Sequence, residues 1–188
     1  IDHHALFAPI TKASFAATHD NVAEVMEKAL TIAMTEPMGP VHIDLPEDVS
    51  LAPANDDVVR PIKIELTPEE TNENNLNNTN SLISEAERPL VVLGASAMRM
   101  QKPELLQAFV EHHEIPFLTS TMAKGMIDED HRLSIGCIER GRRQIQRKFI
   151  QSADLIIGLG FDTIEVEYEA WIGNTPLISI DIEEPHIA

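Results

Sequence analysis

Cysteine is nearly absent. Cys137 stands alone among 188 residues, which excludes an internal disulfide and leaves too few thiols for a cysteine-based zinc site. Basic residues are scarce as well: 14 Lys and Arg face 31 Asp and Glu, a formal net charge of −17. That is the wrong sign for a protein that binds by neutralising phosphate backbones, so nucleic acid is not an expected partner. No apolar run approaches the roughly 18 to 20 residues needed to span a bilayer, so no membrane partner is expected either. The chain opens at Ile1 without an initiator Met or a signal-peptide pattern, and we read it as a processed or excised piece of a cytoplasmic protein. Catalytic signatures are missing too. There is no GxSxG, no GxGxxG, no HxH or HxxxH and no fixed-period repeat, and by spacing alone no residue is assigned as catalytic and no metal ligand is identified.

What remains is 43% hydrophobic and 24% charged, enough to bury a core. Val22, Val25, Met26, Ala29, Ile32 and Ala33 form one face of a helix running to about Thr35, with Asp20 placed as its N-cap. Glu36-Pro37-Met38-Gly39-Pro40 ends it, and Val41 to Leu45 reads as a strand closed by Pro46. Pro46 to Arg60 lacks periodicity and reads as a linker. Thr67-Pro68-Glu69-Glu70 is a capping box that predicts a helix start, with Leu76, Ile83 and Ala86 as its buried stripe. Regular alternation follows. Strands are expected at Leu90–Gly94, Pro116–Thr119, Asp154–Gly158 and Leu177–Asp181, and helices at Glu104–Glu114 and Arg140–Gln151. Leu105, Leu106, Phe109 and Val110 are expected inward on the first of those helices, and Ile145 and Phe149 on the second. Continuously apolar strands between amphipathic helices predict an α/β fold with a doubly wound parallel sheet.

Ligands of such sheets bind beyond the carboxyl ends of the strands, where strand order reverses. Those ends carry Gly94, Ala95 and Ser96; Thr119 and Thr121; Gly160, Phe161 and Asp162; and Asp181. Small residues, hydroxyls and a strand-end aspartate suit a nucleotide. Equally, the glycines serve strand-to-helix turns in any sheet of this kind, and the crevice is then vestigial. The basic run from Arg140 to Lys148 either receives an anion or is a solvated helix face. The pairs His3-His4 and His112-His113 are expected to point to different faces, His42 to be a hydrogen-bonded, half-buried side chain, and Trp171 to be packing.

Three ordered stretches resemble thiamine-diphosphate-dependent enzymes of the acetolactate synthase group. Gly39-Pro40-Val41-His42-Ile43-Asp44-Leu45-Pro46-Glu47-Asp48-Val49 is similar to the GPVxxDxPxDV sequence that closes the family's pyrimidine-binding domain. Arg88-Pro89-Leu90-Val91-Val92-Leu93-Gly94 resembles the start of its central domain. The third stretch runs from Ile115-Pro116 through Thr121-Met122-Ala123-Lys124-Gly125 to Asp130-His131, then from Ala153 to Gly160.

The resemblance implies that residues 1–54 are the carboxyl-terminal part of a pyrimidine-binding domain, 55–66 a linker and 67–188 a central domain. That domain should have six strands, a fifth near Ser134-Ile135 and the last lost with the carboxyl terminus. It also implies that the glutamate acting on the thiamine ring precedes Ile1 and that the GDG...N motif for magnesium and diphosphate follows Ala188. The fragment alone is then expected to be inactive, its cofactors thiamine diphosphate and Mg2+ held elsewhere in a homodimer or homotetramer. Lys12, in a Thr-Lys pair, and Met122 match residues lining the family's substrate channel. Flavin-dependent members carry a GARFDD-like stretch where this sequence has Gly158-Leu159-Gly160-Phe161-Asp162-Thr163-Ile164-Glu165. This is closer to the GYDPIEY...W of the flavin-free catabolic enzymes, so FAD is not expected. The other reading is a stand-alone nucleotide-binding or regulatory module using the strand-end crevice.

Overall fold

A computed structural model describes residues 1–53, 71–139, 141, 143–166 and 172–182. Two compact units, Ile1–Pro68 and Glu69–Ala188, make up the chain. Thr67–Glu70, Trp171 and two arginines of the basic run, Arg140 and Arg142, lie outside the described residues.

In the first unit, Asp2 accepts from the amide of Ala5 at 2.9 Å and so starts α1, His3–Phe7. A strand not anticipated from the sequence follows: β1, Ala13–Ala16, pairs in parallel with β2, Val41–Asp44, aligning Ala13 with Val41 and Ala16 with Asp44. β2 thus has a parallel neighbour within the chain. Between them runs α2, Val22–Met34, with Val25 and Ala29 buried. Val22 and Met26 stay 40% and 38% exposed, because two strands cover less than the full apolar stripe. The N-cap position is Asn21 rather than Asp20; its Oδ1 accepts from the Thr18 amide at 2.6 Å. The stretch read as linker contains a short helix, α3, Glu47–Leu51. Glu47 and Asp48 complement the positive end of its dipole, a local effect too short for periodicity to reveal.

The second unit opens with α4, Glu73–Glu85, capped by Asn72, whose side chain accepts from the Asn74 amide at 2.9 Å. Ile83 and Ala86 pack on the core, whereas Leu76 is 49% exposed. Five parallel strands follow: β3 (Pro89–Leu93), β4 (Phe117–Ser120), β5 (Ser134–Ile138), β6 (Leu155–Leu159) and β7 (Leu177–Ile180), in the spatial order β5-β4-β3-β6-β7. The strand expected near Ser134-Ile135 is thus present, with a register irregularity between Phe117 and Leu118. Alternate strand residues feed opposite faces. Val91, Leu93, Phe117 and Ile157 join one apolar cluster, and Leu90, Val92, Leu118 and Ile156 the other. Helix α5, Glu104–His113, covers the first face through Leu106 and Val110, leaving Leu105 53% exposed. On the second face, α6, Arg143–Ser152, buries Gln146 and Ile150, while Ile145 and Phe149 are 60% and 45% exposed. The inward face is therefore one residue off the expected one. Gln146 is buried because its amide accepts from the Glu139 N–H and donates to the Cys137 carbonyl, completing the end of β5. These layers make the doubly wound α/β fold.

Candidate functional site

The chain leaves β3 toward one side of the sheet, through β4 and β5, and returns through β6 and β7 on the other. Strand order therefore reverses between β3 and β6, and their carboxyl ends define the crevice. Two glycines shape it. The amide of Gly94 donates to the Leu159 carbonyl at 3.0 Å and that of Ser96 to the Gly160 carbonyl at 3.1 Å. A Cβ on Gly94 would lie 2.2 Å from the Gly160 oxygen and 2.4 Å from Phe161 Cα. Gly160 has φ +63°, and its Cβ would meet the Ala97 nitrogen at 2.2 Å. The two loops thus touch backbone to backbone across the reversal point.

Above this contact sits the carboxylate of Glu165, from the short 3-10 turn Thr163–Val166. Its Oε2 accepts from the Ala95 amide at 2.9 Å and from the Ser120 hydroxyl at 2.5 Å, and its Oε1 accepts from the Asp162 amide at 3.2 Å. Ser120 is fully buried, so its hydroxyl requires a partner, and Glu165 is one. The sequence reading missed Glu165. Its position in the stretch that departs from GARFDD was the only signal.

Gly94, Ala95, Ser96, Gly160 and Asp162 meet here as expected from strand ends, but several side chains are otherwise engaged. Phe161 is 2% exposed and packs into the second apolar cluster. Asp162 Oδ1 accepts from the Ile164 amide at 2.8 Å, and Asp181 Oδ1 from the Ile182 amide at 2.7 Å. Thr119 is buried within β4, where its side chain hydrogen-bonds Cys137. Thr121 and Met122 lie just past β4, both exposed, Met122 at 60%. Burial pushes the Cys137 thiol above its ordinary pKa, outweighing the Thr119 hydrogen bond and the nearby Lys124 charge. That disfavours the thiolate and with it a nucleophilic role. A hollow of about 470 Å³ also exists in this unit, but it is lined by Pro89, Pro116, His113 and Phe149. It faces the amino ends of β3 and β4, the wrong end for a ligand of this sheet.

In the first unit, the Lys12 ammonium donates to the carbonyls of Ile32 and Thr35, both at 2.7 Å, and of Pro37 at 2.8 Å. All three of its hydrogens have acceptors. His3 and His4 do not diverge as expected: both reach Asp44, at 3.0 Å and 3.4 Å, one to each carboxylate oxygen. An aspartate with two oxygens can sit between adjacent helical side chains and receive both. His42 is half-buried, 2.6 Å from the Ser14 hydroxyl and 3.4 Å from the same carboxylate. Among the described residues no group of three or more His, Cys, Asp and Glu is placed to hold a metal ion, and no diphosphate cradle is formed by this crevice, where the Ala95 and Asp162 amides and the Ser120 hydroxyl already face Glu165 and the Gly94 and Ser96 amides face carbonyls. No described helix is long and apolar enough to cross a membrane.

The family model for the thiamine pyrophosphate enzyme central domain matches residues 76–188. The chain is 28% identical over its whole length to 35% of the acetolactate synthase isozyme 1 large subunit of Escherichia coli K12. It is 29% identical, over 95% of its length, to 32% of the Escherichia coli K12 oxalyl-CoA decarboxylase. A protein from Mycobacterium smegmatis described as a thiamin diphosphate-dependent enzyme shares the fold, with a TM-score of 0.72 and 24% identity over 95% of this chain and 35% of that one. The chain spans about a third of the length of the curated relatives it matches. With a five-stranded, doubly wound sheet over the matched residues, it belongs to the thiamine pyrophosphate enzymes, whose central domain it carries.

Proposed function

We propose that the chain is part of an acetolactate synthase-like enzyme that decarboxylates a 2-oxo acid, pyruvate, and transfers the two-carbon unit to an acceptor. The observation that carries this is similarity to an acetolactate synthase over the entire chain, both units included. In this reading residues 1–54 close a pyrimidine-binding domain, 55–66 link, and 67–188 form the central domain of a cytoplasmic homodimer or homotetramer. Thiamine diphosphate, with Mg2+, supplies the nucleophilic carbon and the electron sink when bound. The residues of this chain supply architecture. The five-stranded sheet is a rigid wall, and Met122, exposed past β4, is the channel residue the reading keeps. Lys12, its ammonium given to three carbonyls, serves instead to fix the end of α2.

FAD has no part in this reading, which is supported by the Glu165 carboxylate in the crevice. The test is acetolactate formation from pyruvate by the whole protein supplied with thiamine diphosphate and Mg2+. Colour development from acetolactate supports the reading. Pyruvate left intact while oxalyl-CoA is decarboxylated overturns it in favour of the other relative's substrate.

A further inference from the structure

We propose that Glu165 is a built-in occupant of the strand-end crevice, a positioning residue whose carboxylate holds three loops together and denies this part of the sheet to a nucleotide. The inference rests on geometry alone and stands whichever reaction the whole protein performs.

A doubly wound sheet leaves amides and hydroxyls converging where strand order reverses, and a ligand phosphate normally answers them. Here the Ala95 amide, the buried Ser120 hydroxyl and the Asp162 amide come from the ends of β3, β4 and β6, and all three donate to one carboxylate. The hydroxyl has a second engagement, accepting from the Ala123 amide at 3.2 Å, which leaves its proton free to point at Glu165. The described loops at Gly94 and Gly160 close on one another. Gly94 and Gly160 are in backbone contact, and the Gly94 Cα faces Glu165 so closely that an added Cβ would lie 2.6 Å from Oε1. A phosphate entering here would have to displace the carboxylate, break three charge-assisted hydrogen bonds and meet its negative charge. Phe161 and Asp162, expected from the sequence among the crevice residues, are turned to the core and to the Ile164 amide.

The experiment is thermal unfolding of the whole 188-residue chain, as wild type, Glu165→Ala and Glu165→Gln, each alone and with acetate, ADP, NAD or FAD. Wild type is expected to show no shift with any of these additives. Glu165→Ala should lose about 5 °C or more in Tm, since it strands a buried hydroxyl and two amides, and acetate should restore part of that loss in this variant only. Glu165→Gln, which keeps the shape and one acceptor oxygen, should lose less and gain nothing from acetate. Should Glu165→Ala fail to fold, the near-isosteric Gln variant and the wild-type nucleotide series still decide. A rise in wild-type Tm with ADP, NAD or FAD overturns the proposal. So does a Gln or Ala variant as stable as wild type, or an Ala variant destabilised but indifferent to acetate, which would reduce Glu165 to packing.

Discussion

The ammonium of Lys12 lies 2.7 Å from the carbonyl oxygen of Thr35, the residue that caps α2 at its carboxyl end. With Ile32 and Pro37 it gathers carbonyls that the helix itself leaves unpaired, and its stem packs 3.0 Å from where a Cβ on Gly39 would be. A cation at the negative end of a helix dipole is favourable. Lys12→Met keeps the stem and removes the donors. We expect a loss of about 1–2 kcal/mol, read as a lower urea midpoint with unchanged slope, and faster amide exchange at Thr35 and Gly39. Unchanged exchange there would return Lys12 to the channel role.

Gly94→Ala and Gly160→Ala should be among the most damaging small substitutions in the chain. Each adds a methyl 2.2 Å from backbone atoms that have nowhere to go, at a cost of about 3 kcal/mol or more. Gly125→Ala is the control. Its φ is +88° but nothing lies within 4 Å of an added Cβ, so only the backbone penalty of about 1 kcal/mol applies. Chemical denaturation of the three variants checks the order.

Much of the second unit was legible because its chemistry is local. The strands β3, β4, β6 and β7 are runs of apolar residues between turns, and such runs declare a sheet buried on both faces. By contrast β1 is Ala-Ser-Phe-Ala, four residues whose strand character comes from pairing with β2 rather than from composition. The inward face of α6 was misread because Ile145 and Phe149 share the spacing of Gln146 and Ile150, and only the backbone groups at Cys137 and Glu139 make burial of a glutamine the better choice. Glu165 was invisible for a similar reason. Its partners Ala95 and Ser120 are 70 and 45 residues away in sequence.

That difference on α6 is measurable. Gln146→Leu leaves the Cys137 carbonyl and the Glu139 amide without their side-chain partner and should cost about 1–2 kcal/mol. Phe149→Ser, at a position 45% exposed, should change the stability of the isolated chain by about 0.5 kcal/mol or less. Parallel urea titrations of the two variants compare them.

Asp154 links the start of β6 to the residues before β3: its two oxygens accept from the amides of Glu87 and Arg88, both at 2.9 Å. Desolvation opposes its ionisation, but those amides and the Arg88 charge outweigh it and hold the carboxyl below the usual aspartate range. A carboxylate whose folded pKa lies below its unfolded one stabilises fully above the unfolded value and loses that contribution as pH falls through the folded value. Glu114, held down by the Arg132 guanidinium, behaves alike. Stability should therefore fall below about pH 4, and Asp154→Asn should flatten that acid limb while lowering stability at pH 7. Tm measured across an acid pH series reads both effects.

In the proposed function these residues form a scaffold within a thiamine pyrophosphate enzyme and do not themselves hold the cofactor. Calorimetric titration of thiamine diphosphate with Mg2+ into the 188-residue chain, and into the whole protein, distinguishes a scaffold from a cofactor site. We predict a saturable isotherm for the whole protein and a flat trace for the chain. A saturable isotherm of similar affinity for the chain alone would contradict it.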